Sequence, residues 1–279
     1  MRERETLIED DEFPVRLGWL EYGDPSSSRT VLCVHGLTRN AHDFDMLAQA
    51  LSTKARVIAL DVAGRGRSSW LDDKSGYDVP IYARHILGFL ERERLGPVDW
   101  IGTSMGGLIA MAVAGLGQHP FRSLVLNDIG PFVPKKALEM IRDYLGLDLS
   151  FPSIDAVEQH LRFIHASFGP LTDEQWHHLA VHSARADGAV FRLHYDPEIR
   201  QPFAEAAMAD IDVWSQYDSI RCPALLLRGA DSVLLLEDTA REMAGRGPRV
   251  DIATFAGVGH APALMADDQI ACIRRFLDL

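Results

Sequence analysis

Cysteine is scarce in this sequence. Cys33, Cys222 and Cys272 are scattered, and no C-x-x-C pair occurs. That spacing gives no support to a disulfide scaffold or a zinc–thiolate site. Each cysteine sits among apolar neighbours and reads as a small core filler. Long hydrophobic runs are also missing, so no membrane-spanning segment is expected. The opening residues Met1-Arg2-Glu3-Arg4-Glu5 contain no apolar stretch of the secretory type, and a cytoplasmic location is the expectation. Basic charge is in deficit: 28 Lys and Arg stand against 40 Asp and Glu, a net charge of −12. That sign opposes attraction to nucleic acid or to an anionic membrane, and neither partner is expected. There is no internal repeat.

What remains is an ordinary globular composition, 47% hydrophobic and 24% charged over 279 residues. Five Trp and 12 Phe argue against low-complexity disorder. Residues 1–12 are mostly polar and read as a loose start. Val15 to Gly23 alternates in part and suits an antiparallel edge strand. Short apolar runs then follow at Thr30–Val34, Val57–Leu60, Val98–Ile101 and Ser123–Asn127. Between them lie helical patterns over 41–52, 80–94 and 105–117. Strand and helix alternating in this way predict a mostly parallel, doubly wound α/β sheet.

The alternation stops at Pro131. Helical patterns over 134–145, 153–167 and 172–186 fill the next stretch, with one weak strand at Val190–Leu193. It resumes with a strand at Ala224–Arg228, a helix over 236–244, a strand at Val250–Phe255 and a helix over 267–278. The expected organisation is a core in two parts, 1–130 and 213–279, interrupted by a helical insertion at 131–212.

The strongest chemical signal is Gly102-Thr103-Ser104-Met105-Gly106, a G-x-S-x-G between a strand and a helix. In that context the serine stands on a tight turn at the carboxyl edge of the sheet. The helix N-terminus behind it favours negative charge. A serine hydroxyl needs a base at neutral pH, and His260 is the best placed of eleven histidines. It lies in Gly257-Val258-Gly259-His260-Ala261-Pro262, after the last strand and before the last helix. His35-Gly36-Leu37 follows the first buried parallel strand. Its glycine turn makes the backbone amides of Leu37 and Met105 the expected oxyanion donors. His35 itself has a structural role available.

Other motifs are read more plainly. Gly64-Arg65-Gly66-Arg67-Ser68 lacks the G-x-G-x-x-G form and the Walker lysine, so it reads as a bracing loop near the site. His178 and His182 have i, i+4 spacing without an H-E-x-x-H, so no metal site is expected there. No cofactor is expected either.

Taken together, these pieces make the chain resemble the α/β-hydrolase superfamily, in the serine branch that carries a helical cap above the active site. The residues that carry the resemblance are His35-Gly36-Leu37, Asp61 with Gly64–Ser68, Gly102–Gly107, Asn127–Pro131, Leu225–Gly229 and Gly257–Pro262. Dehalogenases and epoxide hydrolases of this fold use Asp as nucleophile, and Ser104 disfavours both. The resemblance implies ester cleavage through an acyl-Ser104 intermediate on a small or medium carboxylic ester, lactones included. The alternatives are a C–C bond hydrolase of a ring-cleavage product, or a catalytically impaired binding protein. The last arises because the family's usual acid position falls here on Ser232 or Val233, neither of them acidic. Asp231 is the nearest carboxylate and the expected acid; Asp128, after the preceding strand, is the alternative. Candidate pocket residues in the insertion and beside it are Phe132, Met140, Phe163, Phe168, Trp176, Phe191, Tyr195 and Trp214. They imply an uncharged or weakly polar small-molecule substrate. Oligomeric state is not legible.

Overall fold

A computed structural model describes residues 1–143, 145–203 and 208–279. The end of the expected helix 134–145 at Tyr144, and residues 204–207 of the expected insertion, lie outside the described residues. The chain builds one eight-stranded sheet from β1 (Arg2–Ile8), β2 (Val15–Tyr22), β3 (Thr30–Val34), β4 (Arg56–Leu60), β5 (Val98–Thr103), β6 (Phe121–Asn127), β11 (Ala224–Gly229) and β12 (Val250–Phe255). Their order across the sheet is β1-β2-β4-β3-β5-β6-β11-β12. The first two strands pair antiparallel, as do β2 and β4, and every later pairing is parallel.

The inner parallel strands are buried on both faces, as their unbroken apolar runs require, while β12 at the far edge is only partly buried. Helices α2 (Val79–Arg92), α3 (Met105–Gly115) and α8 (Glu237–Ala244) pack their apolar stripes into the core on one face. Helices α1 (Asp45–Leu51) and α9 (Asp267–Leu277) cover the other. This is the doubly wound α/β-hydrolase architecture, with sites at the carboxyl ends of the strands.

The polar N-terminus departs from the expected loose start. Arg2–Ile8 is an edge strand, and Arg2, Arg4 and Arg56 all pair with the carboxylate of Glu21, which is 2% exposed. Charged residues are tolerated on an edge because one side of the strand is unpaired. Amphipathic alternation is therefore weak there, and sequence pattern alone does not reveal it.

Between β6 and β11, the described residues add no strand to the main sheet. This stretch holds α4 (Lys135–Arg142), α5 (Ile154–Ile164) and α6 (Asp173–Ser183). It also holds a two-stranded ribbon of β7 (Phe132–Val133) with β10 (Ile211–Asp212), and a hairpin of β8 (Ala184–Asp187) with β9 (Val190–Leu193). Helix α6 starts on a capping box in which Thr172 and Gln175 satisfy each other's backbone amides. The expected helix over 172–186 stops early, because 184–187 joins the β8–β9 hairpin. Phe151, Val157, Leu161, Trp176 and Leu179 form a small core of their own. A short helix, α7 (Trp214–Asp218), leads back to β11. Among the described residues, no helix is long and apolar enough to cross a membrane.

Candidate active site

Ser104 sits between the end of β5 and the first residue of α3, with φ +51°. A non-glycine residue held in this region stores backbone strain, which surrounding contacts must maintain. The two flanking glycines make the turn possible. A Cβ on Gly106 would lie 2.1 Å from the Val34 carbonyl oxygen, and one on Gly102 would lie 2.5 Å from the Gly106 backbone. The Ser104 amide donates to the Asn127 carbonyl at 3.0 Å, tying the turn to β6. The hydroxyl is left partly exposed at the strand end.

His260 Nε2 lies 2.9 Å from Ser104 Oγ, and His260 Nδ1 lies 2.8 Å from Asp128 Oδ2. An acceptor carboxylate on Nδ1 fixes the tautomer: Nδ1 carries the proton and donates it to Asp128. The Nε2 lone pair then faces the serine hydroxyl, which donates to it. The histidine loop is anchored on several sides. Asn127 Nδ2 donates to the Pro262 carbonyl and to Thr103 Oγ1, at 2.9 and 3.0 Å. From the stretch between β6 and β11, Ser167 Oγ donates to the His260 carbonyl at 2.8 Å.

The carboxylate on the imidazole is thus Asp128, in place of the expected Asp231. Asp128 is fully buried and follows β6 directly, with φ +54°. Its Oδ1 accepts the Gly229 amide at 2.8 Å, and its Oδ2 also accepts the Ser232 hydroxyl at 2.5 Å. Three donors on one buried carboxylate compensate its desolvation. Asp231 points its side chain to solvent while its amide donates to the Val258 carbonyl at 2.9 Å. Physically, the β11 loop turns Ser232 inward at the level where the acid was expected. Ser232 Oγ accepts the amides of Leu234 and Leu235, so its proton is free to point at Asp128. The sequence signal for Ser232 was its place in the loop, but nothing along the chain shows that its neighbour is Asp128.

Leu37 and Met105 line the same cavity as Ser104. Met105 is the first residue of α3, where an amide has no intrahelical partner. Gly36 brings the Leu37 turn close: a Cβ there would be 3.7 Å from Ser104 Cβ. His35 braces that turn. Its Nε2 accepts the Val62 amide at 2.9 Å and its Nδ1 donates to the Gly36 carbonyl at 2.7 Å. Burial pushes the His35 imidazole down to about 3, so it stays neutral. Arg65 braces it from beneath. The fully buried guanidinium donates to the Leu37 carbonyl at 2.9 Å, the Ala63 carbonyl at 2.7 Å and the Tyr82 hydroxyl at 2.7 Å.

Two cavities meet at Ser104. The larger, about 300 Å³, is walled by Leu37, Met105, Leu108, Ile129, Val133, Leu138, Ile141, Met208 and Leu234. The smaller, about 160 Å³, adds polar groups from Thr38, Arg39, His165 and Ser167 beside His260. The walls of the larger cavity are mainly aliphatic, with Tyr77, Tyr82 and Phe203 as its aromatic members, and none of the expected residues lines it. Of the expected aromatic and Met residues, Met140 and Phe168 line the smaller cavity. Phe163 is 83% exposed, and Trp176 packs in a small cluster with Phe151, Val157 and Leu161.

The fold is that of a hydrolase, and comparison with known proteins agrees. The alpha/beta hydrolase fold family model matches residues 29–264, and the chain belongs to that family. It is 43% identical to the 3-hydroxybutyrate-oligomer hydrolase of Cupriavidus necator, over 94% of this chain and 92% of that protein. A putative hydrolase from Rickettsia typhi superposes with a TM-score of 0.94 at 31% identity, covering 100% of this chain and 99% of that one. An alpha/beta hydrolase from Novosphingobium aromaticivorans gives 0.88 at 33% identity, covering 99% and 98%. The chain is a carboxylic ester hydrolase.

Proposed function

We propose that the protein hydrolyses short oligomeric esters of hydroxy acids, of the 3-hydroxybutyrate kind, through an acyl-Ser104 intermediate. The observation that carries the reading is the unbroken relay from Ser104 Oγ through His260 to Asp128, at the junction of two cavities of unequal polarity. The 43% identical relative named for that substrate supports the class of ester.

In this reading Ser104 attacks the ester carbonyl while His260 Nε2 accepts its proton. Asp128 holds the imidazole and stabilises the imidazolium. The amides of Leu37 and Met105 hold the oxyanion, each contributing about 3 kcal/mol in the transition state. His260 then returns the proton to the leaving alcohol oxygen, and a water repeats the sequence to free the acid. The aliphatic cavity takes the acyl unit. The smaller cavity takes the leaving hydroxy acid, whose own carboxyl end meets Thr38, Ser167 and the neighbourhood of Arg39. Residues 131–212 act as a cap that shields the site from water, with 1–130 and 213–279 as the two parts of the core.

The test is turnover of the 3-hydroxybutyrate dimer and trimer beside p-nitrophenyl butyrate, with fluorophosphonate labelling located by peptide mass. Monomer release and stoichiometric label on Ser104 are expected. Turnover of the simple ester alone would refute the substrate class. A folded protein that leaves Ser104 unlabelled would refute the mechanism.

A further inference from the structure

Away from the relay, the fold gathers a second cluster of chemistry-bearing side chains. His42 and Asp45 stand at the start of α1 in the core, three residues apart. His178 and His182 stand one turn apart on α6 of the insertion. His42 Nδ1 lies 2.8 Å and His178 Nε2 3.4 Å from the same oxygen, Asp45 Oδ2. One ligand atom from each of His42, Asp45 and His182 lies within 4.8 Å of the others. All are partly buried yet reachable from solvent.

We propose that these residues form a binding site for a zinc-like divalent transition ion that staples α6 to the core. A tetrahedral zinc ion with bonds of about 2.0 Å sets its ligand atoms roughly 3.3 Å apart. His42 Nδ1 and Asp45 Oδ2, 2.8 Å apart, are near that distance, and the ligand atom of His182 lies within 4.8 Å of both, while His178 Nε2 donates to the His42 carbonyl at 3.1 Å. Neutral imidazole and carboxylate are the donor set that such ions prefer over calcium or magnesium. The outer layer is also in place. Tyr22 donates its hydroxyl to the other oxygen of Asp45, which orients the carboxylate. Arg39, the nearby cation, is already paired with Asp43.

The imidazoles of His42 and His182 stack at 3.6 Å with an interplanar angle of 16°. Ligation by both requires one ring to turn out of the stack. The i, i+4 histidines of α6 had no partner along the sequence; the fold supplies His42 and Asp45, more than 130 positions earlier in the chain.

The experiment is a calorimetric titration of zinc chloride into the EDTA-treated full chain, with thermal melts alongside. One site per chain is expected, together with a rise in melting temperature and slower amide exchange in α6. Asp45→Asn and His182→Gln should each weaken zinc binding at least ~10-fold and abolish the melting shift. The exposed neighbour variant His177→Gln and the relay variant His260→Gln should keep both. Gln at 182 preserves size, and unchanged melts without metal show that it folds. Zinc binding equal in wild type and His182→Gln would overturn the proposal. Binding lost only in His260→Gln would overturn it as well, by assigning the ion to the relay.

Discussion

The loops leaving β6 and β11 start side by side at the carboxyl edge of the sheet, where Leu227 is in register with Asn127. Each carries an aspartate within two residues of its strand. Asp128 is buried and takes three hydrogen bonds, one of them from the imidazole. Asp231 is exposed, and its loop contributes the Gly229 amide and the Ser232 hydroxyl to the neighbouring carboxylate instead. The difference teaches that the orienting acid is chosen by which loop can bury and solvate a charge. Distance along a single loop does not decide it, because the donors come from the adjacent strand.

That contrast can be broken or sharpened by substitution. Ser104→Ala sets the floor: loss of the nucleophile should cost about 10⁶ in kcat, measured by ester hydrolysis on folded protein. If substantial turnover survives, neither loop matters to the chemistry as described. Ser232→Ala removes one of the donors to Asp128, a charge-assisted bond worth about 1.5–3 kcal/mol. A fall in kcat of about 10-fold or more is expected, with KM little changed and the pH profile shifted. An unaltered pH–rate profile would reduce Ser232 to a loop-shaping role.

The smallest expected effect concerns stability, in a region away from both acid loops. The pKa of His35 is lowered to about 3, so below its unfolded value near 6.5 the unfolded chain binds a proton that the folded chain refuses. Its contribution is fully present above that value and is lost as pH falls toward 3. Asp61, raised to about 6 by burial, acts in the opposite sense: its share of stability declines as pH rises from 3.8 to 6. Calorimetric melts from pH 7 to 4 should therefore fall less steeply in His35→Gln than in wild type. An equally steep decline would show that other groups dominate.

Much of the site was legible because its signals are local. Ser104 is readable from a strand, a five-residue turn and a helix in direct succession, and His260 from a glycine-flanked loop after the last strand. The parallel strands announce themselves by runs too apolar to face water. What escaped depends on contacts across the sheet. Arg2–Ile8 is a strand because Glu21 gathers its arginines, and no periodicity records that. Leu138, Ile141 and Met208 wall the larger cavity though no pattern along the chain singles them out, while Trp176, a pocket candidate in sequence, packs elsewhere. Arg65 was read as a brace near the site, yet its specific bond to the Leu37 carbonyl emerges only in three dimensions.

The central claim is that Asp128, fed by the β11 loop, orients His260. It is tested most directly by comparing kcat for Asp128→Asn and Asp231→Asn on the same ester, with both proteins shown to be folded. The account predicts a loss of about 10⁴ for the first, as when the orienting carboxylate of a serine protease becomes an amide, and a change within about twofold for the exposed second. A severe loss in Asp231→Asn with near-normal turnover in Asp128→Asn would contradict it.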